Sequence, residues 1–185
     1  MAARVTIRFY RREGRSPAQD TLGLPQGCEF KSWRPGEGGL PPGGPHRGEN
    51  LIWFAFDRLG VFACGAFEEL TVWRGGLLLH RLIVTPRWRR FPFMGPDDLQ
   101  IGGLWTAPES RRIGLATAAI AEAHRRHAAS GRRFWFLVDD DNVASIGLAE
   151  TTGYRLVGTG GRTRPLGVSA LGRFRMDSAT ATGGG

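Results

Sequence analysis

The chain is poor in cysteine, in lysine and in long apolar segments, and each shortage excludes a class of protein. Its 185 residues contain only two cysteines, Cys28 and Cys64, whose spacing matches no metal or redox motif, so both are expected to be reduced thiols. No apolar run approaches the roughly 20 residues that cross a bilayer. The first residues alternate in polarity and lack the apolar core of a signal peptide, so we expect a cytoplasmic protein with no membrane partner.

What the chain does contain is arginine. The net charge is +8, and of the 25 Lys and Arg residues only Lys31 is a lysine. Guanidinium groups suit phosphates, nucleotides or nucleic acid, and charge alone does not choose among these anions. His124 and His127 stand three residues apart on a predicted helix without a third ligand, so we interpret them as part of a basic helix face and expect no metal.

Apolar periodicity and turn residues predict an α/β fold. Strands are predicted at 1–12, 51–57, 61–72, 77–85, 99–106, 134–138, 154–158 and 170–176, and helices at 110–130, ended by Gly131, and from the N-cap Asn142 to Gly153. Residues 13–34 are compatible with a short helix or a loop, the Gly- and Pro-rich stretch 35–49 is predicted to be a loop, and 86–96 is irregular. These elements predict one domain over 1–177 around one sheet, with a disordered tail at 178–185.

The segment from Ala107 to Thr117 joins a predicted strand to a predicted helix and indicates an anion site. The first turn of a helix leaves backbone N–H groups unpaired, and the helix dipole adds positive potential. Gly114 and Ala116 are small enough for a phosphate to approach the backbone, while Arg111 and Arg112 add charge. The segment is neither a mononucleotide P-loop nor a dinucleotide fingerprint. Taken alone it would also fit an ordinary helix start packed on a sheet.

Two motifs in this part of the chain resemble those of the GCN5-related N-acetyltransferases (GNAT). Arg111, Gly114 and Ala116 occupy the fixed positions of that family's coenzyme A motif, Arg/Gln-x-x-Gly-x-Gly/Ala. After an apolar strand, Asn142, a small residue three positions on and Gly153-Tyr154 at the helix end resemble the family's later motif. The two motifs in the right order are much more specific than either alone, and the resemblance covers about residues 97–158.

The resemblance implies a GNAT-like fold, in which a mixed, mostly antiparallel sheet flanked by helices splays into a V at a β-bulge. It also implies that acetyl-CoA or another acyl-CoA lies in that gap, with Asn142 beside the pantetheine arm and Ser145 near the thioester sulfur. The residues implied to hold the cofactor through backbone groups are Leu104, Trp105 and Thr106 for the arm, and Arg112, Ile113, Gly114, Leu115, Ala116 and Thr117 for the pyrophosphate, with Arg111 adding charge.

The reaction that the resemblance implies is direct transfer, in which a neutral amine attacks the thioester, a base takes its proton and an acid protonates the leaving thiolate. Many relatives carry that acid as a tyrosine seven residues after the Asn, where this chain has Ala149. Ser145 could assist instead, although it equally fits as a small helix residue.

The general base is not obvious from the sequence. His80 in an apolar strand and Asp98 before the strand 99–106 are the candidates, and each also fits a structural role, as a buried histidine or as a turn residue. Of Glu68 and Glu69, only one can point into the gap.

Residues 87–95 combine aromatic and arginine side chains. Arg89, Arg90 and Phe93 are predicted to form a wall for an anionic acceptor, and a loop whose aromatic rings plug the end of the sheet is an equal alternative. A looser likeness to acyltransferases of bacterial surface-polysaccharide synthesis suggests a nucleotide-linked amino sugar.

The leading interpretation is therefore an acyl-CoA-dependent N-acyltransferase of a small-molecule amine. A non-catalytic acyl-CoA-binding module is one alternative, favoured by the missing tyrosine. An acetyltransferase of a protein or aminoglycoside amine is another, although a chain with a net charge of +8 suits a cationic acceptor only if its site is locally acidic, as the run Asp139–Asp141 would allow. Nucleic acid is disfavoured because no basic stripe follows one helix. A homodimer is compatible with the sequence, which does not decide the oligomeric state.

Overall fold

The computed structural model describes residues 6–14, 23–37, 39–40, 46–129, 131–163 and 172–179. Its strands are β1 (Ile7–Glu13), β2 (Glu29–Trp33), β3 (Glu68–Arg74), β4 (Leu77–Pro86), β5 (Leu99–Thr106), β6 (Arg133–Asp139), β7 (Arg155–Arg162) and β8 (Phe174–Ala179), and its helices are α1 (Arg47–Arg58), α2 (Leu115–His127) and α3 (Val143–Thr151). The strands form one sheet in the order β2-β3-β4-β5-β6-β1-β7-β8. Among the strands of the described residues, only β5 and β6 run parallel, which confirms the predicted α/β class with a mixed, mostly antiparallel sheet.

Helix α2 covers one face of the sheet. Its Leu115, Ala119 and Ile120 pack in the main core with Leu82 and Val84 of β4. Alanine on the buried side lets the helix approach the strands closely, and burial of each large aliphatic side chain contributes about 1.5–3 kcal/mol. None of the described helices is long and apolar enough to cross a membrane.

Helix α1 lies on the opposite face. Successive residues of a strand point to opposite sides, so Ile83 of β4 points away from α2. It packs in a separate cluster with Trp33, Phe67 and Trp53 of α1. The Trp53 ring lies 5.6 Å from the Phe67 ring and 6.3 Å from the Trp88 ring, so an aromatic layer holds α1 against the sheet.

A buried carboxylate holds the end of α2 on the sheet. Glu68 of β3 is fully buried and accepts hydrogen bonds from Arg126 Nη1 at 2.9 Å and Arg34 Nη2 at 3.2 Å, with His127 Nε2 2.6 Å away. Burial alone would raise the pKa of Glu68, but the hydrogen bond and charge of His127, with the charges of Arg34 and Arg126, outweigh it and lower that pKa to about 2. Glu68 therefore points to the α2 face, and Glu69 to the α1 face.

The strand closest to the start of the chain lies inside the sheet. β1 pairs with β6 on one side and with β7 on the other. Its Phe9 and Tyr10 are 0% and 1% exposed, as expected for a strand covered on both faces. The sequence predicts this strand, and the structure adds its place between β6 and β7.

The prediction of a strand at 51–57 is wrong, because these residues belong to α1. A continuous apolar run of this length fits a buried strand and a helix equally. The helix places Trp53 and Phe56, three residues apart, on the side that packs against Trp88. Leu51 and Ile52 face outward and are 44% and 54% exposed, which a strand buried on both faces would not allow.

Three further predictions in the first half of the chain need correction. β2 is a strand within 13–34, where the sequence indicates a short helix or loop. The predicted strand 61–72 begins only at Glu68, because 61–67 are irregular and pack through Phe62 and Phe67, whose rings stack 5.5 Å apart. Residues 47–49 of the predicted loop 35–49 form the first turn of α1.

The bounds in the second half differ less. The predicted helix 110–130 is shorter, since Pro108–Ser110 form a 3₁₀ turn and α2 runs only from Leu115 to His127, ending before Gly131. β8 begins at Phe174 and extends through 178–179 of the predicted tail. Residues 1–5, 15–22, 38, 41–45, 130, 170–171 and 180–185 of the predicted elements lie outside the described residues.

Candidate active site

The parallel strands β5 and β6 separate after a short ladder. They pair only from Leu99↔Phe134 to Ile101↔Phe136. Beyond Ile101, β5 continues to Thr106 beside β4 alone, while β6 continues to Asp139 beside β1. The sheet is therefore open between the C-terminal halves of β5 and β6, and the backbone edge of β5 faces that gap without a β6 partner.

A β-bulge in β5 lies at this gap. Arg81 pairs with Trp105 and Ile83 with Gly102, so Gly103 and Leu104 together face a single residue of β4. Gly103 has φ 58°, and a Cβ added there would meet Ile83 Cδ1 at 2.8 Å. Both the left-handed backbone and the close approach therefore require glycine.

The loop after β5 presents unpaired backbone donors. Arg112 has φ 64°, and Gly114, the N-cap of α2, has φ 85°. The first helical bond runs from Ala118 N–H to the Gly114 carbonyl at 3.0 Å, and within the described residues no N–H of 112–114 donates a turn or loop bond. The N–H groups of 112–117 are thus available at an exposed, electropositive helix start, which is the geometry of an anion site.

The residues that the sequence assigns to this loop are found together. Arg111, Arg112 and Ile113 are exposed, and Arg111 Nε donates to the Thr106 carbonyl at 3.4 Å. A Cβ added at Gly114 would meet no heavy atom within 4 Å, so the space above this glycine is open. A diphosphate fits this cradle in charge, in donors and in room.

The start of α3 lies beyond β6. Asn142 caps the helix, because its Oδ1 accepts a hydrogen bond from the Ser145 N–H at 3.0 Å. Asn142 is exposed and Ser145 is half-buried. Ala149 is 0% exposed and belongs to the main core, so this position points into the core.

The structure places His80 on the α2 face, fully buried. His80 pairs with Val72 and shares the face of Leu82, and its Nδ1 lies 2.8 Å from Thr106 Oγ1. Burial lowers the pKa of His80 to about 4. Its Nε2 has no hydrogen-bond partner among the described residues. The imidazole is therefore neutral near pH 7 and ties β4 to the end of β5.

Asp98 is buried at the opposite end of β5 from the gap. Its carboxylate accepts hydrogen bonds from the Gly95 N–H at 2.8 Å, from Trp135 Nε1 at 2.8 Å and from Arg133 Nε at 3.1 Å. Its acceptor sites are thus committed to joining β5, β6 and the preceding loop.

On the α1 face, a cavity of about 250 Å³ touches the β5 bulge. Aromatic and aliphatic side chains and two glycines form most of its wall, and each of its five polar side chains comes from a different helix, strand or loop. Its lining residues are Ile7, Glu49, Trp53, Ile83, Thr85, Trp88, Arg90, Phe91, Gln100, Gly102, Gly103, Leu137, Val138, Asp139 and Phe174. A second depression, of about 690 Å³, lies between α2, α3 and β7 and reaches the anion loop only at Thr117.

Two carboxylates line the cavity on the α1 face. Glu49 of α1 is held by Arg81, whose Nη1 donates to Glu49 Oε2 at 2.9 Å and whose Nε donates to the buried Glu69. Asn50 links the same groups, accepting from Arg81 at 2.9 Å and donating to Glu69 at 2.7 Å. Asp139, at the end of β6, is exposed. Sequence reasoning missed Glu49 because it lies in the stretch predicted to be a loop.

Of the predicted acceptor wall, only part reaches this cavity. Arg90 lines it, together with Trp88 and Phe91. Arg89 is exposed and does not line it. Phe93 packs edge-on against Phe9 and Trp135, with ring centroids 5.0 Å and 4.9 Å away, and also lies outside the cavity. Among the described residues, no cluster of three or more His, Cys, Asp or Glu side chains could hold a metal.

Comparisons with known proteins agree with this geometry. The profile of the family described as "Acetyltransferase (GNAT) family" matches residues 46–154. A comparison with curated proteins finds no significant match.

Several solved structures share the fold. A putative GNAT acetyltransferase from Novosphingobium aromaticivorans is 18% identical, with a TM-score of 0.54, covering 85% of this chain and 62% of that one. A tandem GNAT protein from the clavulanic acid biosynthesis pathway is 13% identical, with a TM-score of 0.56, covering 84% and 51%. A Drosophila protein is 15% identical, with a TM-score of 0.55, covering 85% and 49%. The chain thus spans only about half to three-fifths of these relatives' lengths.

Proposed function

The chain belongs to the acetyltransferase (GNAT) family, and on that premise we propose that it transfers an acyl group from acyl-CoA, most simply acetyl-CoA, to the amine of a small molecule. One observation carries the proposal. The β5–β6 gap runs along the C-terminal half of β5, with the cavity on the α1 face at its start, beside Gly102 and Gly103, and the unpaired N–H groups of 112–117 in the loop beyond its end. A donor that lies along β5 would have its phosphates at one end and the acceptor cavity at the other.

Backbone groups would provide most of the grip on acyl-CoA. The pyrophosphate would accept hydrogen bonds from the N–H groups of 112–117, with Arg111 and Arg112 neutralising its charge. The unpaired edge of β5 from Leu104 to Thr106 would pair with the amide groups of the pantetheine arm. Asn142 would lie beside that arm. When bound, acyl-CoA supplies an activated thioester carbonyl.

The acceptor amine would attack from the cavity on the α1 face. A new C–N bond forms as the C–S bond breaks, and the amine loses a proton to a base that lines the cavity. Asp139 is the carboxylate best suited to this role, because Glu49 is already ion-paired with Arg81. His80 and Asp98 remain predicted bases from the sequence, but neither lines the cavity.

The thiolate would leave without the tyrosine that many relatives use. Ser145, in the first turn of α3, would supply a hydroxyl for this step, and water is the alternative proton donor. Because a thiolate is a good leaving group near neutral pH, this step needs only modest assistance. The missing tyrosine is also what favours the second candidate function, an acyl-CoA-binding module without turnover.

The cavity supports a small acceptor. A volume of about 250 Å³ would accept an amine-bearing fragment, and Arg90 gives it one cation. A nucleotide-linked amino sugar, an aminoglycoside and a peptide amine remain candidates that would have to extend out of the cavity. We place the reaction in the cytoplasm, a proposal supported by the free thiols of Cys28 and Cys64.

A pair of aspartate variants tests the chemistry. Thiol release from acetyl-CoA by the full chain would be measured over a panel of amines, for the natural sequence, for Asp139→Asn and for Asp141→Asn. Asp141 lies in the same acidic run and is exposed, but it does not line the cavity. We expect Asp139→Asn to lower kcat by about 100-fold or more, as loss of a general base does, and Asp141→Asn to leave it close to the natural value.

Two results would contradict the proposal in different ways. An unchanged pH–rate profile in Asp139→Asn would remove Asp139 as the base and leave the reaction standing. Binding of CoA with no thiol release for any amine would favour the binding module instead.

A further inference from the structure

The cavity on the α1 face is lined by a cation, Arg90, that pairs with no carboxylate of the described residues. Arg90 is half-buried, and its guanidinium carbon lies 5.3 Å from the centre of the Phe174 ring. Its Nε is buried without a hydrogen-bond partner, and no carboxylate of the described residues forms an ion pair with it. A second guanidinium, that of Arg162, lies 5.6 Å from the same ring. Burial, and then the charge of Arg162, lower the pKa of Arg90, as expected for a cation that lacks an acidic neighbour.

A partly desolvated cation of this kind is costly unless an anion joins it. The two carboxylates of the same cavity do not serve this purpose, because Glu49 is paired with Arg81 and Asp139 forms no ion pair with Arg90. The guanidinium thus faces the cavity with hydrogen-bond donors to spare. An anionic group on the acceptor would balance the charge of Arg90 and accept hydrogen bonds from its guanidinium.

The rest of the cavity restricts what can carry that anion. Rings of Trp53, Trp88, Phe91 and Phe174 line it. At about 250 Å³ it is smaller than the roughly 300–1,000 Å³ typical of sites for drug-sized ligands. Aromatic walls suit an apolar or aromatic framework, and the carboxylates suit a substrate that arrives as an ammonium ion.

We propose that the acceptor is a compact amino acid, with a carboxylate that Arg90 binds and an amine that is directed to the β5 bulge. This inference rests on the proposed function and adds the substrate class. Arg90 then acts as the specificity-determining residue, and a nucleotide-linked acceptor, which would present phosphate instead, is an outcome of the test.

The experiment compares amines that differ only at the anionic group. Thiol release from acetyl-CoA would be followed with L-phenylalanine, L-phenylalaninamide and phenethylamine, and, in a separate arm, with a nucleotide-linked amino sugar. The variants are Arg90→Met, which keeps an unbranched side chain over Phe174, Arg90→Lys, which keeps the charge, and Arg87→Met. Arg87 is a half-buried arginine of the same segment that does not line the cavity.

We expect L-phenylalanine to be used with a kcat/KM at least about tenfold above both analogues that lack a carboxylate, the effect of one charge-assisted interaction. Arg90→Met should raise KM for L-phenylalanine by about tenfold or more, leave KM for phenethylamine unchanged, and so remove the preference. Arg90→Lys should keep part of the preference for L-phenylalanine, and Arg87→Met should keep all of that preference.

Thermal unfolding and CoA titration of Arg90→Met show whether that variant is folded. Equal kcat/KM for the three amines, or an equal rise of KM for all of them in Arg90→Met, would overturn the assignment of Arg90. A marked preference for the nucleotide-linked amino sugar would overturn the amino-acid class. Failure of every amine in the natural sequence, with CoA still bound, would instead contradict the proposed function.

Discussion

Gly114 is the position at which one methyl group tests the anion loop most directly. Its φ is 85°, and an added Cβ would meet nothing within 4 Å, so alanine fits in space. The substitution costs left-handed backbone strain of about 1–2 kcal/mol and places a methyl group where a phosphate must approach. Gly60, in the turn after α1, is a matched control because its φ is 63° and its Cβ would also meet nothing within 4 Å.

The expected magnitudes follow from what each variant changes. Backbone strain is present with and without ligand, so it lowers the free energy of unfolding of both variants by about 1–2 kcal/mol without altering affinity. Of the two variants, only Gly114→Ala places a methyl group that would prevent a phosphate from reaching a backbone N–H donor. A hydrogen bond to a charged group contributes about 1.5–3 kcal/mol, which corresponds to about 10- to 150-fold in Kd.

Urea unfolding and isothermal titration with CoA would measure the two quantities. Pantetheine, which lacks the pyrophosphate, is the ligand control, and Gly114→Ala should bind it as the natural sequence does. An equal CoA affinity in Gly114→Ala and Gly60→Ala would refute the assignment of the pyrophosphate to this loop. So would a loss that is the same for CoA and pantetheine.

The remaining predictions concern buried ionisable groups. His80, with its pKa lowered to about 4 by burial, stays neutral in the folded chain while the unfolded chain takes up a proton below about pH 6.5, so stability should fall from pH 6.5 to 4. His80→Gln should remove that dependence in urea titrations, and a changed pH–rate profile would support His80 as the base. Glu68, with its pKa lowered to about 2, contributes stability that is present above about pH 4.5 and lost toward pH 2. Glu68→Gln should cost about 3 kcal/mol at pH 7 and flatten the acid limb, and an unchanged limb would contradict the ion network. Asp98→Ala should lower the free energy of unfolding by about 2–4 kcal/mol, whereas a lower kcat at full stability would favour Asp98 as the base.

The donor side of the site could be predicted because its signals are local. The predicted strand 99–106 coincides with β5, and α2 begins within the predicted helix. The cap at Asn142 is confirmed by its hydrogen bond to the Ser145 N–H. In each case the residues that determine the conformation lie within a few positions of one another, where turn and cap preferences act directly.

The acceptor side depends on contacts between distant segments. Arg81 contacts Glu49 and Glu69, which lie 32 and 12 residues away in the chain. Phe174 lines the cavity because its strand β8 lies next to β7 at the sheet edge. The position of β7 depends in turn on β1, which lies between β6 and β7. Neither placement leaves a periodic or local signal in the sequence. The apolar pattern of 51–57 therefore does not distinguish a strand from the helix α1, and nothing in the sequence identifies Glu49 as a site residue.

The donor half and the acceptor half of the proposed site are built differently, which explains why the family assignment does not identify the substrate. The anion loop and the β5 edge offer backbone N–H and C=O groups, which many sequences can present once the strand, the bulge and the helix start are in place. The cavity on the α1 face is built instead from side chains such as Trp53, Arg90 and Asp139, so under the proposed function substitution there would change the acceptor without disturbing the donor. Solved structures only 13–18% identical to this chain keep the same fold. The acceptor must therefore be inferred from this chain's own cavity, and Arg90 is the group in it whose charge nothing else in the described structure balances.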